Sequence, residues 1–168
     1  MTEAKPEPPL FAVDPSSYGS EYSQHLLEQY ALYVKMADKV SERRQTANTY
    51  LLSANSFLIT VYGVLASAPL ALQRNLWQYF VPLAGLLVSV TWLALIRSYS
   101  QLNAGKFKVI HLLERRLPAA MYDAEWSVLG KGSGAQYLPL THVEIGVPLV
   151  FAALYVLLLM FSLANLGR

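Results

Sequence analysis

Residues 49–68 read TYLLSANSFLITVYGVLASA and contain no charged side chain. An α-helix needs about 20 residues to cross the hydrocarbon layer of a bilayer, and this stretch has about that length. Two further stretches share its length and composition, namely WQYFVPLAGLLVSVTWLALI at 77–96 and VPLVFAALYVLLLMFSLANL at 147–166. The three stretches predict three transmembrane helices.

The composition of the whole chain agrees with a membrane protein. Of its 168 residues, 54% are hydrophobic and only 14% are charged, whereas about 25% of the residues of a typical soluble domain are charged. The net charge is only +2, and no stripe of Lys and Arg with interleaved aromatic residues lies away from the spans, so no nucleic-acid partner is expected. The chain has no cysteine, which excludes disulfides and cysteine-based metal sites.

Upstream of the first span, residues 20–48 place apolar side chains at three- and four-residue steps. No proline or glycine occurs between Ser20 and Tyr62, so we expect one long helix that continues into the span. A second extension follows the second span and ends before Pro118. Thr141 and Glu144 have the spacing of a capping box, which predicts the start of the third helix.

The predicted fold class is an all-α membrane protein with three transmembrane helices, of which the first two extend into the cytosol as long helices. We expect a disordered cytosolic tail followed by a single helical membrane domain. The predicted segments are the tail 1–19, the domain 20–168 with spans 49–68, 77–96 and 147–166, cytosolic helical extensions 20–48 and 97–117, and a cytosolic loop 118–140.

The distribution of Lys and Arg predicts the topology. Basic residues are concentrated before the first span and between the second and third spans. Only Arg74 lies between the first and second spans, and only Arg168 follows the third. We therefore expect a multi-pass protein of a bacterial inner membrane, with a cytoplasmic N-terminus and an external C-terminus.

Polar side chains at three- and four-residue spacing form a stripe in and before the first span. The stripe comprises Ser41, Gln45, Asn48 and Asn55. An amide in hydrocarbon seeks a partner, so the stripe predicts hydrogen bonds between helices, with a pore lining as the alternative. The adjacent Arg43 and Arg44 indicate either an anchor at the membrane surface or a site for an anionic headgroup or a cytosolic signal.

Catalytic patterns are missing from the sequence. It has no nucleophile motif, no glycine-rich phosphate loop and no paired carboxylates with recognisable spacing, so we expect neither an enzyme nor a cofactor. The histidines His25, His111 and His142 are far apart in the sequence, which disfavours a metal site.

Several segments carry a resemblance to a known family. They are YVKMADKVSERRQTAN at 33–48, Asn55, SYSQLNAGKF at 98–107, IHLLERRLP at 110–118 and YDAEWSVLG at 122–130. Together they resemble a widespread family of small bacterial integral membrane proteins of unassigned activity. More loosely, the architecture is similar to that of SLATT-type membrane effectors, which would oligomerise and open the membrane on a signal from a nucleotide-sensing partner.

The resemblance implies a cytosolic assembly surface or partner site, because its residues lie mostly outside the spans. The residues assigned to this surface are Gln101, Asn103, Lys106, His111, Glu114, Glu125 and Trp126. The first hypothesis is a homo-oligomeric inner-membrane module that acts as a stimulus-gated pore or a membrane-disrupting effector. The alternative is a non-conducting membrane scaffold or regulator that docks a soluble cytosolic partner. The expected partners are thus the lipid bilayer, further copies of the chain and, in the alternative, a cytosolic protein.

Overall fold

A computed structural model describes residues 10–67, 76–130 and 140–164, with side chains in the last segment described from residue 142. All regular structure in these segments is helical. The helices are α1 (Pro15–Tyr18), α2 (Tyr22–Ser67), α3 (Trp77–Glu114), α4 (Met121–Val128) and α5 (Leu140–Ala164).

The helix α2 is the longest element because nothing in its sequence interrupts it. Its 46 residues contain no proline, and at 1.5 Å per residue the helix extends for about 70 Å. Its first part is charged and its last part, from about Asn48, is apolar. We refer to these parts as the charged half and the apolar half, and α3 has the same two halves in reverse order.

The helix α3 lies between α2 and α5 and packs against both. Two apolar clusters hold α2 and α3 together. In the charged half the cluster is formed by Leu26, Tyr30, Ala37, Ile110 and Leu113. In the apolar half the buried cluster is Leu51, Trp92 and Ile96, with Phe151 of α5 packed against it.

The helices α2, α3 and α5 are each long and apolar enough to cross a membrane. Large apolar side chains on their outer surfaces remain exposed, among them Phe57, Leu87 and Val150. Such surface is favourable in lipid and unfavourable in water. The predicted fold class, an all-helical membrane protein with three membrane-spanning helices, is therefore confirmed.

The structure differs from the predicted tail and loop. Residues 10–19 are not disordered, because α1 forms there and the Phe11 ring lies 3.7 Å from the guanidinium carbon of Arg116. Residues 1–9 of that tail lie outside the described residues. The predicted loop 118–140 contains the helix α4, while its residues 131–139 are outside the described segments.

The predicted capping box is also placed differently. The helix α5 already includes Leu140, so Thr141 is not its N-cap, and the side chain of Thr141 is outside the described residues. The carboxylate of Glu144 accepts a hydrogen bond from Arg44 of α2 instead. The bond between the guanidinium and the carboxylate is charge-assisted and links α5 to α2.

Candidate functional site

The polar residue Asn55 lies on the face of α2 that packs against the other two helices. Its side chain is 0% exposed. The Nδ2 atom donates to the Leu51 carbonyl at 2.8 Å, and Oδ1 accepts from the Ser89 hydroxyl of α3 at 3.3 Å. The Tyr155 hydroxyl of α5 donates to the Asn55 carbonyl at 3.1 Å. A single turn of α2 is thus hydrogen-bonded to both neighbouring helices.

A glycine on α3 allows this close approach. The Tyr155 ring lies directly on Gly85, and a Cβ atom added there would be 2.1 Å from the ring carbon Cζ. Since non-bonded carbon atoms do not approach so closely, only glycine fits while the ring keeps this position. Small residues serve the same purpose where membrane helices pack closely.

At the start of the apolar half, about two turns before Asn55, Asn48 makes a similar contact. Its Oδ1 accepts from Nε1 of Trp92 at 2.8 Å. For Asn48 and Asn55, the structure therefore shows hydrogen bonds between helices of one chain. The pore-lining alternative is wrong for Asn55, because its side chain is fully buried against α3.

A different face of α2 is polar and exposed. It carries Thr49, Ser53, Ser56 and Thr60, which follow three- and four-residue spacing, and we call these four residues the hydroxyl face. All four are exposed, and Gly63 and Ser67 continue the same line. The hydroxyls of Thr49, Ser53 and Thr60 donate to carbonyls four residues earlier, at 3.1, 2.9 and 2.9 Å. Their donors are thus satisfied within the helix, while their outer surface stays polar.

The stripe predicted from the sequence does not include the hydroxyl face, because the two lines of residues lie on different sides of α2. Ser56 follows Asn55, and each residue advances about 100° around a helix. The three- and four-residue spacing of Thr49, Ser53, Ser56 and Thr60 was readable in the sequence. Nothing local indicated which of the two polar lines would face α3.

A cleft of about 910 Å³ lies beside the start of the hydroxyl face. It is bordered by α2, α3 and the first turns of α5, where the charged half of α2 gives way to the apolar half, and Thr49 belongs to both surfaces. The cleft is lined by Asp38, Ser41, Glu42, Arg44, Gln45, Asn48, Thr49, Leu52, Trp92, Ser100, Asn103, Glu144 and Val147. The predicted stripe residues Ser41, Gln45 and Asn48 thus meet in this cleft, whereas Asn55 does not reach it.

The lining of the cleft contains more acidic than basic side chains. Arg44 forms an ion pair with Glu144, with 12% and 19% of the two side chains exposed. Asp38 and Glu42 lie one turn apart on α2, and neither takes part in an ion pair within the described segments. The cleft is therefore an acidic and polar space, bridged by one ion pair.

The two adjacent arginines do not form one site. Arg43 is exposed, whereas Arg44 is partly buried and bonded to Glu144. Consecutive side chains of a helix point about 100° apart, so the two guanidinium groups leave α2 in different directions. The structure does not bring the predicted pair together for bidentate binding of one phosphate.

Two residues of the predicted assembly surface are buried inside the chain. Glu114 is 1% exposed. Its Oε1 accepts from the Tyr30 hydroxyl at 2.9 Å and from the Tyr122 backbone N–H at 3.0 Å, and its Oε2 accepts from the Asp123 N–H at 3.2 Å. Lys106 is buried too, with its Nζ 4.6 Å from the centre of the Tyr33 ring. The prediction of an assembly surface is thus wrong for Glu114 and Lys106.

The Glu114 contacts explain why α4 forms. A carboxylate that accepts from the first N–H groups of a helix satisfies donors that have no partner within that helix, and it also interacts favourably with the helix dipole. Burial, and then the hydrogen bond to Glu114, raise the pKa of Tyr30 to about 12. Tyr30 therefore remains a neutral donor to this carboxylate over the physiological pH range.

The remaining residues of the predicted surface separate into three places. His111, Glu125 and Trp126 line a groove of about 600 Å³ between α3 and α4, together with Phe107 and Tyr122. Asn103 belongs to the cleft. Gln101 is exposed on α3 and lines neither space. In the described part of the chain, no group of three or more His, Asp or Glu residues could hold a metal ion.

Comparison with known proteins identifies the family. Residues 27–164 match the octameric membrane protein family (8xMP). No curated protein and no solved structure matches the chain at a significant level. The match covers α2 from Leu27 onward, all of α3, the groove, the cleft and α5. It does not bear on the SLATT-type effectors, so that looser resemblance stays a prediction. The chain belongs to the octameric membrane protein family.

Proposed function

We propose that the chain forms a homo-octamer in the membrane, in which the hydroxyl faces of eight α2 helices surround a central water-filled path. The role is non-enzymatic. The family name supports the number of copies. The exposed hydroxyl face, which continues through the apolar half of α2, is the observation that carries the proposal.

The geometry of a ring of eight helices supports a path rather than a closed core. If neighbouring α2 helices pack about 10 Å apart, their axes lie about 13 Å from the centre of the ring. Subtracting a helix radius of about 5 Å leaves an opening with a radius of about 8 Å. Serine and threonine side chains are too short to fill such an opening, and their hydroxyls are suited to contact with water.

The neighbouring face of α2 has the character expected for lipid or for protein contact. Phe57 is 66% exposed. Tyr50 and Val64, about two helical turns before and after Phe57, are exposed as well. Their positions differ from that of Ser56 by about a quarter turn or more. The apolar half of α2 thus separates a bulky face from a hydroxyl face, as a helix between lipid and water would require.

The orientation follows from the same charge distribution that predicts the topology. We propose that the charged halves of α2 and α3 lie on the cytoplasmic side of an inner membrane, because the Lys and Arg residues near the spans are concentrated there. The cleft then opens at the cytoplasmic end of the hydroxyl face. A phosphatase reporter fused after Arg168 should be active, and a reporter that works only in the cytoplasm should be silent.

Cysteine substitution tests the path directly, because the chain has no cysteine of its own. Ser56→Cys should react with a charged, membrane-impermeant thiol reagent, since a thiol reacts as the thiolate and needs water. Phe57→Cys is the matched control at nearly the same depth and should not react. A Ser56→Cys thiol that stays unreacted while it cross-links to a second copy would show a packed interface instead of a path.

Ion flux into liposomes tests conduction itself. Liposomes with the purified octamer should release a trapped ion, and Ser53→Leu/Ser56→Leu should reduce the release without changing the number of copies. Phe57→Leu is the control for a change of volume on the neighbouring face. Wild-type octamers that release no more than protein-free liposomes would contradict the proposal.

A non-conducting scaffold is the second candidate, and the groove between α3 and α4 favours it. The groove combines the apolar rings of Phe107 and Trp126 with the charged Lys108 and Glu125, a mixture suited to a soluble protein segment. A scaffold would give no ion flux, and Trp126→Ala would abolish its association with the partner. Flux that is unaffected by Trp126→Ala favours the path.

A further inference from the structure

We infer that the groove between α3 and α4 is a contact between copies of the chain, and that it receives one side of α2 from the next copy. This contact rests on the octamer of the proposed function and specifies how the charged halves of neighbouring copies meet. Two surfaces that have no partner within the chain carry the inference.

The first surface is a row of exposed side chains on the charged half of α2, which we call the α2 ridge. Each member is three or four residues from another, so the row follows one side of the helix. The members are Leu32, Lys35, Met36, Lys39 and Arg43, and all five are exposed. Leu32 is 60% exposed and Met36 45%. Met36 lies about 18 Å before Asn48 along the helix axis at 1.5 Å per residue, so the lipid around the apolar half does not cover it.

The second surface is the groove itself, with a volume of about 600 Å³. The rings of Phe107, Tyr122 and Trp126 give it a largely apolar wall. Trp126 is 40% exposed although it also belongs to the charged end of the chain. Aromatic side chains of this kind are enriched in protein interfaces.

The two surfaces lie at the same height along the chain. The hydrogen bonds from Tyr30 to Glu114 and from Asn103 to Ser41 show that α2 and α3 are antiparallel and fix their register. The α3 residues that line the groove, from Ala104 onward, lie between these two bonds. They are therefore level with the part of α2 that carries most of the α2 ridge.

The two surfaces also face away from each other across the pair of helices. The helix α2 packs on α3 through Leu26, Tyr30 and Ala37, and the α2 ridge lies about a quarter of a turn or more from that line at about 100° per residue. The helix α3 contacts α2 through Ile110 and Leu113, and its groove residues lie about a third of a turn from that side. One chain therefore cannot bring its own ridge into its own groove.

The symmetry of a ring makes a second copy the occupant that accounts for both surfaces. Copies with one topology are related by rotation about the membrane normal, so each copy presents different surfaces to its two neighbours. Rotation about that axis preserves height, so the α2 ridge of one copy reaches the groove of the next at its own level. In a closed ring of eight, a neighbour lies about 70° from the direction of the centre. The α2 ridge is about a quarter of a turn from the hydroxyl face, which agrees with this angle.

The charges of the two surfaces are complementary. The helix α4 carries Asp123 and Glu125 and no basic residue, and neither carboxylate takes part in an ion pair within the described segments. The α2 ridge carries three basic side chains and no acidic one. Lys108 on the groove wall is the exception to this division. Opposite charges around an apolar contact fix its register and disfavour wrong pairings.

Disulfide formation in the intact octamer tests the contact, because the chain has no cysteine of its own. Oxidation of Met36→Cys/Trp126→Cys should give a ladder of covalent multimers that ends at the octamer. Each single variant should give no multimers, since no residue meets itself in a contact between two different surfaces. The matched control is Met36→Cys/Ser127→Cys, because Ser127 is exposed beside Trp126 and does not line the groove. It should give about a tenth of the multimers or fewer, because a disulfide needs closely placed Cα atoms.

Methionine oxidation tests the same contact without any substitution. Met36 on the α2 ridge and Met121 on α4 are both exposed in the single chain, by 45% and 61%, and Met121 does not line the groove. In the wild-type octamer, peroxide should oxidise Met36 about tenfold more slowly than Met121, because oxidation follows exposure. In the chain unfolded by denaturant the two rates should be equal. Equal rates in the octamer would show that the ridge is open, and would overturn the inference.

The outcomes also separate this contact from the proposed function. A cross-linked ring with another number of copies would support the contact and contradict the octamer. An octamer in which Met36→Cys/Trp126→Cys gives no more multimers than the Ser127 control would overturn the contact and leave the octamer intact. In that case the groove would be left to a soluble partner. None of these results depends on whether the octamer conducts ions.

Discussion

Replacement of Gly85 by alanine tests the close packing of the three helices. The added Cβ atom would lie 2.1 Å from Cζ of Tyr155, whereas ordinary contact begins at 3.4 Å. The ring must therefore move by more than 1 Å, which also breaks the 3.1 Å hydrogen bond from its hydroxyl to the Asn55 carbonyl. Overpacking costs about 1–3 kcal/mol, and the lost buried hydrogen bond costs about 1 kcal/mol more.

The intrinsic helix preference acts in the opposite direction. Alanine is favoured over glycine inside a helix by about 1 kcal/mol, so Gly85→Ala should lower the free energy of unfolding by about 1–3 kcal/mol in total. Gly105→Ala in the same helix is the matched control, because nothing lies within 4 Å of a Cβ atom there. This control should leave stability unchanged or raise it by up to about 1 kcal/mol.

Unfolding of the purified protein in mixed micelles, followed by tryptophan fluorescence, measures both variants. Trp92 reports on this region because its ring lies 6.3 Å from that of Phe151, the neighbour of Tyr155. Tyr155→Ala removes the obstructing ring, so Gly85→Ala should cost much less in that background. The packing argument fails if Gly85→Ala and Gly105→Ala change stability by the same amount, or if the Tyr155→Ala background gives no relief.

Three further predictions concern the charged halves of the helices and their link to α5. Glu114→Ala should lower the free energy of unfolding by about 2–3 kcal/mol, because three donors lose their acceptor. The amides of α4 should then exchange faster with solvent, and unchanged hydrogen exchange would refute the capping role. Arg44→Glu and Glu144→Arg should each lower the free energy of unfolding by about 1–2 kcal/mol. The double variant, which restores the ion pair in reverse, should recover most of that loss in the same unfolding assay. Since the folded-state pKa of Tyr30 is raised to about 12, its stabilising contribution should be full below pH of about 10 and be lost as the pH rises through about 12. The difference between the ultraviolet titrations of wild type and Tyr30→Phe isolates Tyr30 and checks this prediction. A difference that appears near pH 10 would contradict it.

The candidate site was predicted only in part, for identifiable physical reasons. Residues Ser41, Gln45 and Asn48 were singled out by their spacing, and they do meet in the cleft with Asn103. Glu114 was assigned to a surface because a carboxylate is usually solvated. Its burial depends on donors from Tyr30, Tyr122 and Asp123, of which Tyr30 is 84 positions away in the chain. No local pattern contains that information.

The helix α4 illustrates the same limit. Its eight residues, Met121–Val128, are too few for a helix that is stable alone in water. A prediction from local preferences therefore leaves them in a loop. Contact with Glu114 and with the Phe107 ring, whose centre is 5.6 Å from that of Tyr122, makes the helix stable.

The sequence by itself determined the three membrane-spanning helices and the long extensions of the first two, because hydrophobicity, length and the absence of helix breakers are local properties of the chain. Only the tertiary structure decided how α2 is rotated. Both Asn55 and Ser56 belong to lines of polar residues with helical spacing, and the two lines are equally acceptable to an isolated helix. The fit of Tyr155 on Gly85 and the hydroxyl of Ser89 direct Asn55 inward. Because residues on a helix are rigidly related, that one contact leaves the hydroxyl face on the outside.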